Sequence, residues 1–507
     1  MTTPAPLLYP TPTPSALKLH YINTPLSALP APAAILDLAI IRRNCALMLT
    51  TTHTLGLGFR AHVKTHKTTE LAKLQVDDAG GGAVKLVAST VGEIENLLPW
   101  LLECVGQGRE VNILYGLPLT PSSLPRLSAL ARILGPGTIG LFIDHPTHIT
   151  LLDTLPASAW PGPIPVWLTI DTGYHREGVP PSSPQLAAIA HALATSTRAR
   201  LAGLYTHMGH SYAVSSPSEA LEAFCAELTG LQQGALAFLK ITAAAHATTP
   251  KITLSLGASP TATAVQNLLL DPTPPQTQKY TSLLARITST LARITSTFAL
   301  ELHAGVYPVL DMQQLATRAR PTASSATLAG QPPHQHQHQQ TLLSYADLAL
   351  RILVEVASLY PDRGAQPEAL IAAGSIALGR EPCKSYPGWG VVSPWTEGAT
   401  QSEQSGGKEL RNSSPSHYDP SGTRTGWIVG RVSQEHGVLT WEGPTASTAA
   451  DNGGGMRELA VGEKLLVWPN HACIAGVNFG WYFVVDSDLD GVGGEVVRDV
   501  WVRGRGW

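Results

Sequence analysis

The sequence predicts an α/β plus β protein: a closed, TIM-like (β/α)8 barrel with a second, smaller and mostly β domain C-terminal to it. Three observations carry that expectation. From about residue 35, eight short β-rich runs alternate with helical patterns, and eight parallel strands are the number that closes a barrel. Polar residues gather at the C-terminal ends of those runs, where barrel active sites are assembled. After about residue 310 the helical periodicity fades, and short apolar runs with Trp, Val and Gly take over.

In chain order, residues 1–15 are rich in Pro and Thr and 1–19 are expected to be disordered; 20–310 then hold the barrel and 311–507 the β domain. An amphipathic helix is expected over 37–49, with Asp37 as its N-cap. The barrel strands fall at 61–65, 83–88, 111–115, 138–143, 166–170, 201–206, 252–256 and 300–303. Thr90 and Glu93 have capping-box spacing, so a helix starts between the second and third strands, and 218–245 reads as one long Ala-rich helix. An open doubly wound sheet is the alternative, disfavoured because no Gly-x-Gly-x-x-Gly turn follows the first strand. The second domain has its β runs at 426–432, 438–441, 464–468, 481–485 and 496–503. Three segments read as insertions. ARITSTL at 285–291 recurs as ARITSTF at 292–298, a lengthened helix or loop; 321–341 is a His/Gln-rich low-complexity segment, read as a linker with metal binding by the histidines as the alternative; 396–425 is a Ser/Gly/Thr-rich loop.

Composition narrows the function. A net charge of −3 with 14% charged residues gives no basic footprint for nucleic acid, so a small molecule is the expected ligand. Five widely spaced cysteines without a CxxC pair suit a reducing compartment rather than a disulfide framework. With no signal-peptide pattern, membrane-length apolar run or SKL-type ending, the expected location is cytoplasmic, with no membrane partner.

Alternation along an extended strand puts His62, Lys64 and His66 on one face and Val63, Thr65 and Lys67 on the other. A lysine facing a barrel interior is costly unless used, and desolvation lowers the pKa of an amine, as a Schiff-base lysine requires. A strand end with surface lysines is the plainer alternative. The turn Asp171-Thr172-Gly173-Tyr174-His175-Arg176 follows another strand, and Arg176 could donate to a phenolate or carboxylate oxygen. His207 and Tyr212 end the next strand, where they could pack on a flat ring or simply be satisfied core groups. Gly257, Ser259 and Thr261 precede a helical run, with small residues that leave N–H groups open to an anion and two hydroxyls that add donors. A plain N-cap at Ser259 is the alternative. In the second domain His471 and Cys473 form a zinc-preferring pair, too few for a structural site but suited to one with open positions.

Taken in order, RAHVKTHKT, IDTGYHREGV, GLYTHMGHSY, SLGASPT, ELHAGVYPVLD, SQEHG, PNHAC and the terminal VRGRGW resemble the fold-type III pyridoxal-phosphate family of D-serine dehydratases and D-threonine aldolases, with alanine racemases as distant kin. The resemblance covers about residue 20 to 507 outside the insertions. It implies a barrel carrying pyridoxal 5′-phosphate, a β domain completing the site, and a homodimer. It places the Schiff-base lysine at Lys64 rather than Lys67, Arg176 close to the cofactor ring, and the phosphate at Gly257, Ser259 and Thr261. It makes His471 and Cys473 ligands of Zn2+. Tyr174, His207 and Tyr212 are expected around the cofactor, and His62 and His66 beside a Lys64 that removes the α-proton of D-serine. D-Threonine cleavage is the rival reaction; a thiolate at Cys473 rather than a carboxylate favours the dehydratase. A pyridoxal-phosphate carrier without catalysis is a third reading. The chain departs from the family at Val306 and Ala372, where the family has Asn and an acidic or amide residue.

Overall fold

The computed structural model describes residues 13–242, 252–269, 278–321, 343–363, 366–395, 418, 425–443, 456–490 and 494–507. These form two compact units. One is drawn from 45–307, 317–344 and 504–507, the other from 1–44, 308–316 and 345–503.

Strands are numbered along the chain, and β1 (Ala33–Asp37) belongs to the second of these units. The first unit is a closed parallel barrel of β2 (Gly58–His62), β3 (Val84–Ala88), β4 (Val111–Pro118), β5 (Ile139–Ile143), β6 (Ile164–Thr169), β7 (Ala199–Thr206), β8 (Thr253–Leu256) and β9 (Ala299–Ala304). The eight β-rich runs seen in the sequence are these eight strands, and the ring closes by β2 pairing with β9. The first run is displaced: β2 begins and ends three residues earlier than alternation suggested. Thr90 caps helix Val91–Gly106 as expected, its Oγ1 accepting Glu93 N–H (3.2 Å), but the return bond of the box is shifted by one residue, since Glu93 Oε2 accepts Ser89 N–H (2.8 Å) rather than that of Thr90. The long Ala-rich pattern is helix Pro217–Thr242, and the first ARITST copy with the start of the second lies on helix Gln278–Thr295.

Side chains two apart on a strand share a face. Arg60 therefore lies one layer below His62, and Glu301 one layer below His303. Arg60 Nε meets Glu301 Oε1 at 2.6 Å with both side chains 2% exposed, and the guanidinium lies 4.9 Å from the Trp167 ring centroid. Val87, Leu114, Phe142, Trp167 and Tyr205 form the apolar cluster beside this pair. Gly203 admits the indole, since a Cβ there would stand 2.5 Å from it.

The second unit is one sheet in the order β11 (Glu368–Ile371), β14 (Gly437–Glu442), β13 (Gly426–Val432), β12 (Gly390–Val392), β15 (Lys464–Pro469), β10 (Leu350–Tyr360), β1, β16 (Trp481–Val485) and β17 (Asp499–Val502). An additional β10–β11 pairing closes six of these strands into a ring. β1, within the stretch read as the start of the barrel, pairs with β10 and β16. Asp37 ends β1 and, as expected of a cap, accepts Ala39 N–H (3.1 Å) at the start of helix Leu38–Thr54. Pro14–Tyr21, in the stretch expected to lack order, is a helix capped by Thr13 with Leu17 fully buried. Residues 1–12, nearly all of the His/Gln-rich 321–341 segment and all but two residues of 396–425 lie outside the described residues. Among the described residues no helix is long and apolar enough to cross a membrane.

Candidate active site

β2 ends at His62, so the strand alternation does not reach Lys64 and His66. Val63 to His66 instead make a turn, closed by Lys67 N–H on Val63 O (2.9 Å), with Lys67 at φ +53°. Lys64 is still set apart from Lys67, for a different reason. Lys67 is paired with the buried Glu93 carboxylate at 3.0 Å, whereas the half-buried Lys64 has no ion-pair partner among the described residues. The Lys64 N–H points at His62 Nδ1 (3.4 Å), and His62 Nε2 lies 3.4 Å from Ser89 Oγ. That arrangement leaves the ring proton on Nε2.

Around Lys64 the barrel mouth is lined with neutral imidazoles. Burial, then Lys64, His303, His207 and Arg176, holds His62 well below the ordinary histidine range. Burial, then Arg176 and Lys64, pushes His207 down to about 3; its Nδ1 meets Gly257 O at 2.9 Å. His303 is also held well below its usual value, first by burial, then by His207 and Arg60; it stacks on Tyr205 at 4.1 Å between centroids and meets Ser255 Oγ at 3.1 Å. His66, by contrast, is turned to Thr68 Oγ1 (3.1 Å) and Gln75 Oε1 (2.9 Å), so both its ring nitrogens are engaged away from this group.

The Asp171 turn is built from its own backbone. Asp171 Oδ1 accepts Gly173 N–H (2.8 Å) and His175 N–H (3.1 Å), and Oδ2 meets His175 Nδ1 at 2.6 Å. This presents Arg176 beside Glu177 (2.5 Å), with its guanidinium 5.8 Å from the Tyr174 ring, and Tyr174 edge-on to His207 at 6.1 Å. A narrow cavity here is lined by Tyr174, Arg176, Tyr205 and His207 among others. Tyr212 lies half-buried in the short turn Gly209–Ala213 that follows β7.

The Gly257–Thr261 corner differs from expectation in two respects: two of its N–H groups are already spent, and the buried Thr261 hydroxyl, expected as a donor, is engaged by Glu227 and Ala258. Gly257 N–H goes to Glu227 Oε1 (3.0 Å) and Ala258 N–H to Thr261 Oγ1 (2.9 Å). Ser259 Oγ accepts Val306 N–H (3.3 Å), a contact indifferent to the side chain at 306. Gly257 has φ +149°, and a Cβ there would stand 2.2 Å from His303 O, so the corner accepts no side chain.

In the other unit His471 precedes the one-turn helix Ala472–Ala475, and Asp311 Oδ2 accepts the intervening Ala472 N–H (2.9 Å). Burial opposes charge on His471, but Cys473, Asp311 and Glu381 raise it to about 9. Its buried Nδ1 lies 3.9 Å from Glu381 Oε2, beyond hydrogen-bond reach, and the Cys473 thiol beside the ring is a soft donor, so the pair offers a metal one nitrogen and one sulfur. Among the described residues no group of three or more His, Cys, Asp or Glu side chains is arranged to hold a metal ion.

Sequence reasoning did not single out His303 or Glu227. His303 could have been found as the polar residue closing the eighth strand run. Glu227 is mid-helix with no motif around it.

The alanine racemase N-terminal domain family matches residues 36–271, and the family described as "Putative serine dehydratase domain" matches 349–485. The fold and site thus define a barrel of the alanine racemase class joined to a serine dehydratase domain. The chain is 33% identical over 501 residues to D-serine dehydratase of Schizosaccharomyces pombe, covering 97% of this chain and 95% of that one. It is 26% identical to D-threo-3-hydroxyaspartate dehydratase of Delftia sp. HT23, over 95% and 99% of the two chains. The solved structure of that enzyme matches with a TM-score of 0.63 at 24% identity, over 95% of this chain and 100% of that one, as does its cysteine-to-alanine mutant "in the metal-free form". The chain belongs to the D-serine dehydratase family and with it to the lyases.

Proposed function

We propose that this protein is a pyridoxal-phosphate- and zinc-dependent D-serine dehydratase, which converts D-serine to pyruvate and ammonia. The observation that carries the reading is the barrel mouth: a half-buried Lys64 without an ion-pair partner among the described residues, ringed by His62, His207 and His303, all held neutral. Lys64 would hold the cofactor aldehyde, Arg176, Tyr174, His207 and Tyr212 would surround the ring, and Gly257, Ser259 and Thr261 would form the phosphate corner. His471 and Cys473 would hold the zinc; the metal-free state of the cysteine-to-alanine Delftia enzyme supports that assignment.

When bound, the cofactor supplies an electron sink for the α-carbon and the metal a Lewis acid for the β-oxygen. The rest falls to the chain. Lys64 takes the α-proton at its Nζ. His62, neutral with its proton on Nε2, can pass a proton along the Ser89 hydroxyl without adding positive charge beside Lys64. The β-hydroxyl leaves as water after gaining a proton, and hydrolysis of the released enamine returns that water and gives pyruvate and ammonia. The chain is expected to act as a homodimer.

Pyruvate release from D-serine, with and without chelator, tests the reaction. Turnover unchanged by chelator would remove the zinc role, and glycine with acetaldehyde from D-threonine would make the protein an aldolase. Faster turnover of D-threo-3-hydroxyaspartate would reassign the substrate. Lys64→Ala should lose the aldehyde absorption band and Lys67→Ala should keep it; the reverse would move the cofactor.

A further inference from the structure

Glu227 lies in no motif, yet it ties together the two loops that carry His207 and the phosphate corner. It sits on helix Pro217–Thr242 and is fully buried. Its Oε1 accepts Met208 N–H (3.1 Å), next to His207, and Gly257 N–H (3.0 Å). Its Oε2 lies 3.0 Å from Thr261 Oγ1. That hydroxyl accepts Ala258 N–H (2.9 Å) and is 3.2 Å from Ala258 O.

Counting protons decides which form of Glu227 fits. A carboxylate can only accept, so an ionised Glu227 takes the Thr261 proton, and the group of contacts holds four hydrogen bonds. A protonated Glu227 donates to Thr261 Oγ1, which turns its own proton to Ala258 O, and the same atoms then hold five. The neutral form also avoids a buried charge, and no cation is within salt-bridge distance of Glu227 among the described residues. Burial accordingly pushes this carboxyl up to about 8 against the pull of its Thr261, Gly257 and Met208 hydrogen bonds. Tyr205, which Glu227 influences from β7, and His207 and His303, which flank Gly257, are all neutral between pH 7 and 9.

We propose that Glu227 is a positioning residue for the cofactor's phosphate and that it does this as the neutral acid. The inference rests on the reading of Gly257–Thr261 as the phosphate corner. Glu227 stands one hydrogen bond behind Gly257, so a phosphate dianion in front of that glycine and a carboxylate behind it would repel each other across a dry peptide. Phosphate binding therefore requires the proton, and loss of the proton releases both the phosphate and one hydrogen bond of the corner.

The test is titration of the full-length, cofactor-stripped chain with pyridoxal 5′-phosphate and, separately, with pyridoxal, followed by absorbance from pH 7 to 9. The phosphate is a dianion throughout that range, its second pKa being about 6. In the native chain the preference for the phosphorylated form should fall by about tenfold across this range, the most that one proton held with a pKa of about 8 can change a binding constant between pH 7 and 9. Glu227→Gln keeps an acceptor for both N–H groups and a donor to Thr261, so its preference should stay at the native low-pH value at every pH. Glu227→Leu should lower the preference at all pH values. A native preference that does not change with pH, or a Glu227→Gln preference that falls in parallel with it, overturns the proposal. Failure of the native chain to bind either aldehyde would instead overturn the cofactor reading on which it rests.

Discussion

The buried Arg60–Glu301 pair sets a measurable demand on the barrel. Glu301→Gln removes the charge but keeps nearly the same volume, and leaves the guanidinium only neutral oxygen partners: the new amide oxygen, Leu86 O (3.2 Å) and Asn112 O (3.1 Å). Carbonyl dipoles do not neutralise a cation. With both side chains 2% exposed, water cannot replace the lost carboxylate without opening the barrel. Breaking such a pair by removing one member costs about 3–5 kcal/mol, whereas replacing both by apolar groups is often close to neutral. Set against a typical stability of roughly 5–15 kcal/mol, the single change removes about a fifth or more. Urea denaturation followed by tryptophan fluorescence should show that loss for Glu301→Gln and recover most of it in the Arg60→Met, Glu301→Leu double variant. A loss below about 1 kcal/mol for the single variant, or a double variant worse than the single, would refute the view that desolvated charge dominates here.

Gly257→Ala should weaken pyridoxal 5′-phosphate binding at least about tenfold while the circular dichroism stays native, because the added methyl meets His303 O at 2.2 Å and moves the corner rather than the barrel. Native binding would mean that the corner is softer than its geometry. Glu227 should also appear in folding. Its proton is bound in the native state up to about pH 8 and in the unfolded chain only to about 4.5, so the native state holds more protons between those values and stability falls as pH rises through them. The native chain should lose about 3–4 kcal/mol more than Glu227→Gln between pH 5 and pH 8; parallel stability curves would show that Glu227 is already ionised.

What the sequence made legible, and what it did not, follows from the range over which each signal acts. Period-2 runs at regular spacing are local, so all eight barrel strands could be read, and eight of them imply closure. β1 was hidden because its partners β10 and β16 are some 300 residues or more further along the chain, and no local pattern distinguishes five apolar residues bound for one sheet from five bound for another. The first barrel strand was read three residues late because RAHVKTHK alternates as a strand does, while the chain turns after His62 to close Val63 O on Lys67 N–H. That turn changes the case for Lys64. Alternation separated it from Lys67 by face, whereas the fold separates the two by partner: Glu93, in the first turn of the helix that Thr90 caps, takes Lys67 and leaves Lys64 without an ion-pair partner among the described residues. His66 and His303 exchange places for a similar reason. His66 is close to Lys64 in sequence but held by Gln75, while His303 is 239 residues away and brought to the same mouth by the pairing of β9 with β2. Glu227 marks the limit of such reading. A lone glutamate inside a helix is most simply a solvated one, and only the arrival of Met208, Gly257 and Thr261 around its carboxyl turns it into the acid on which the phosphate corner is built.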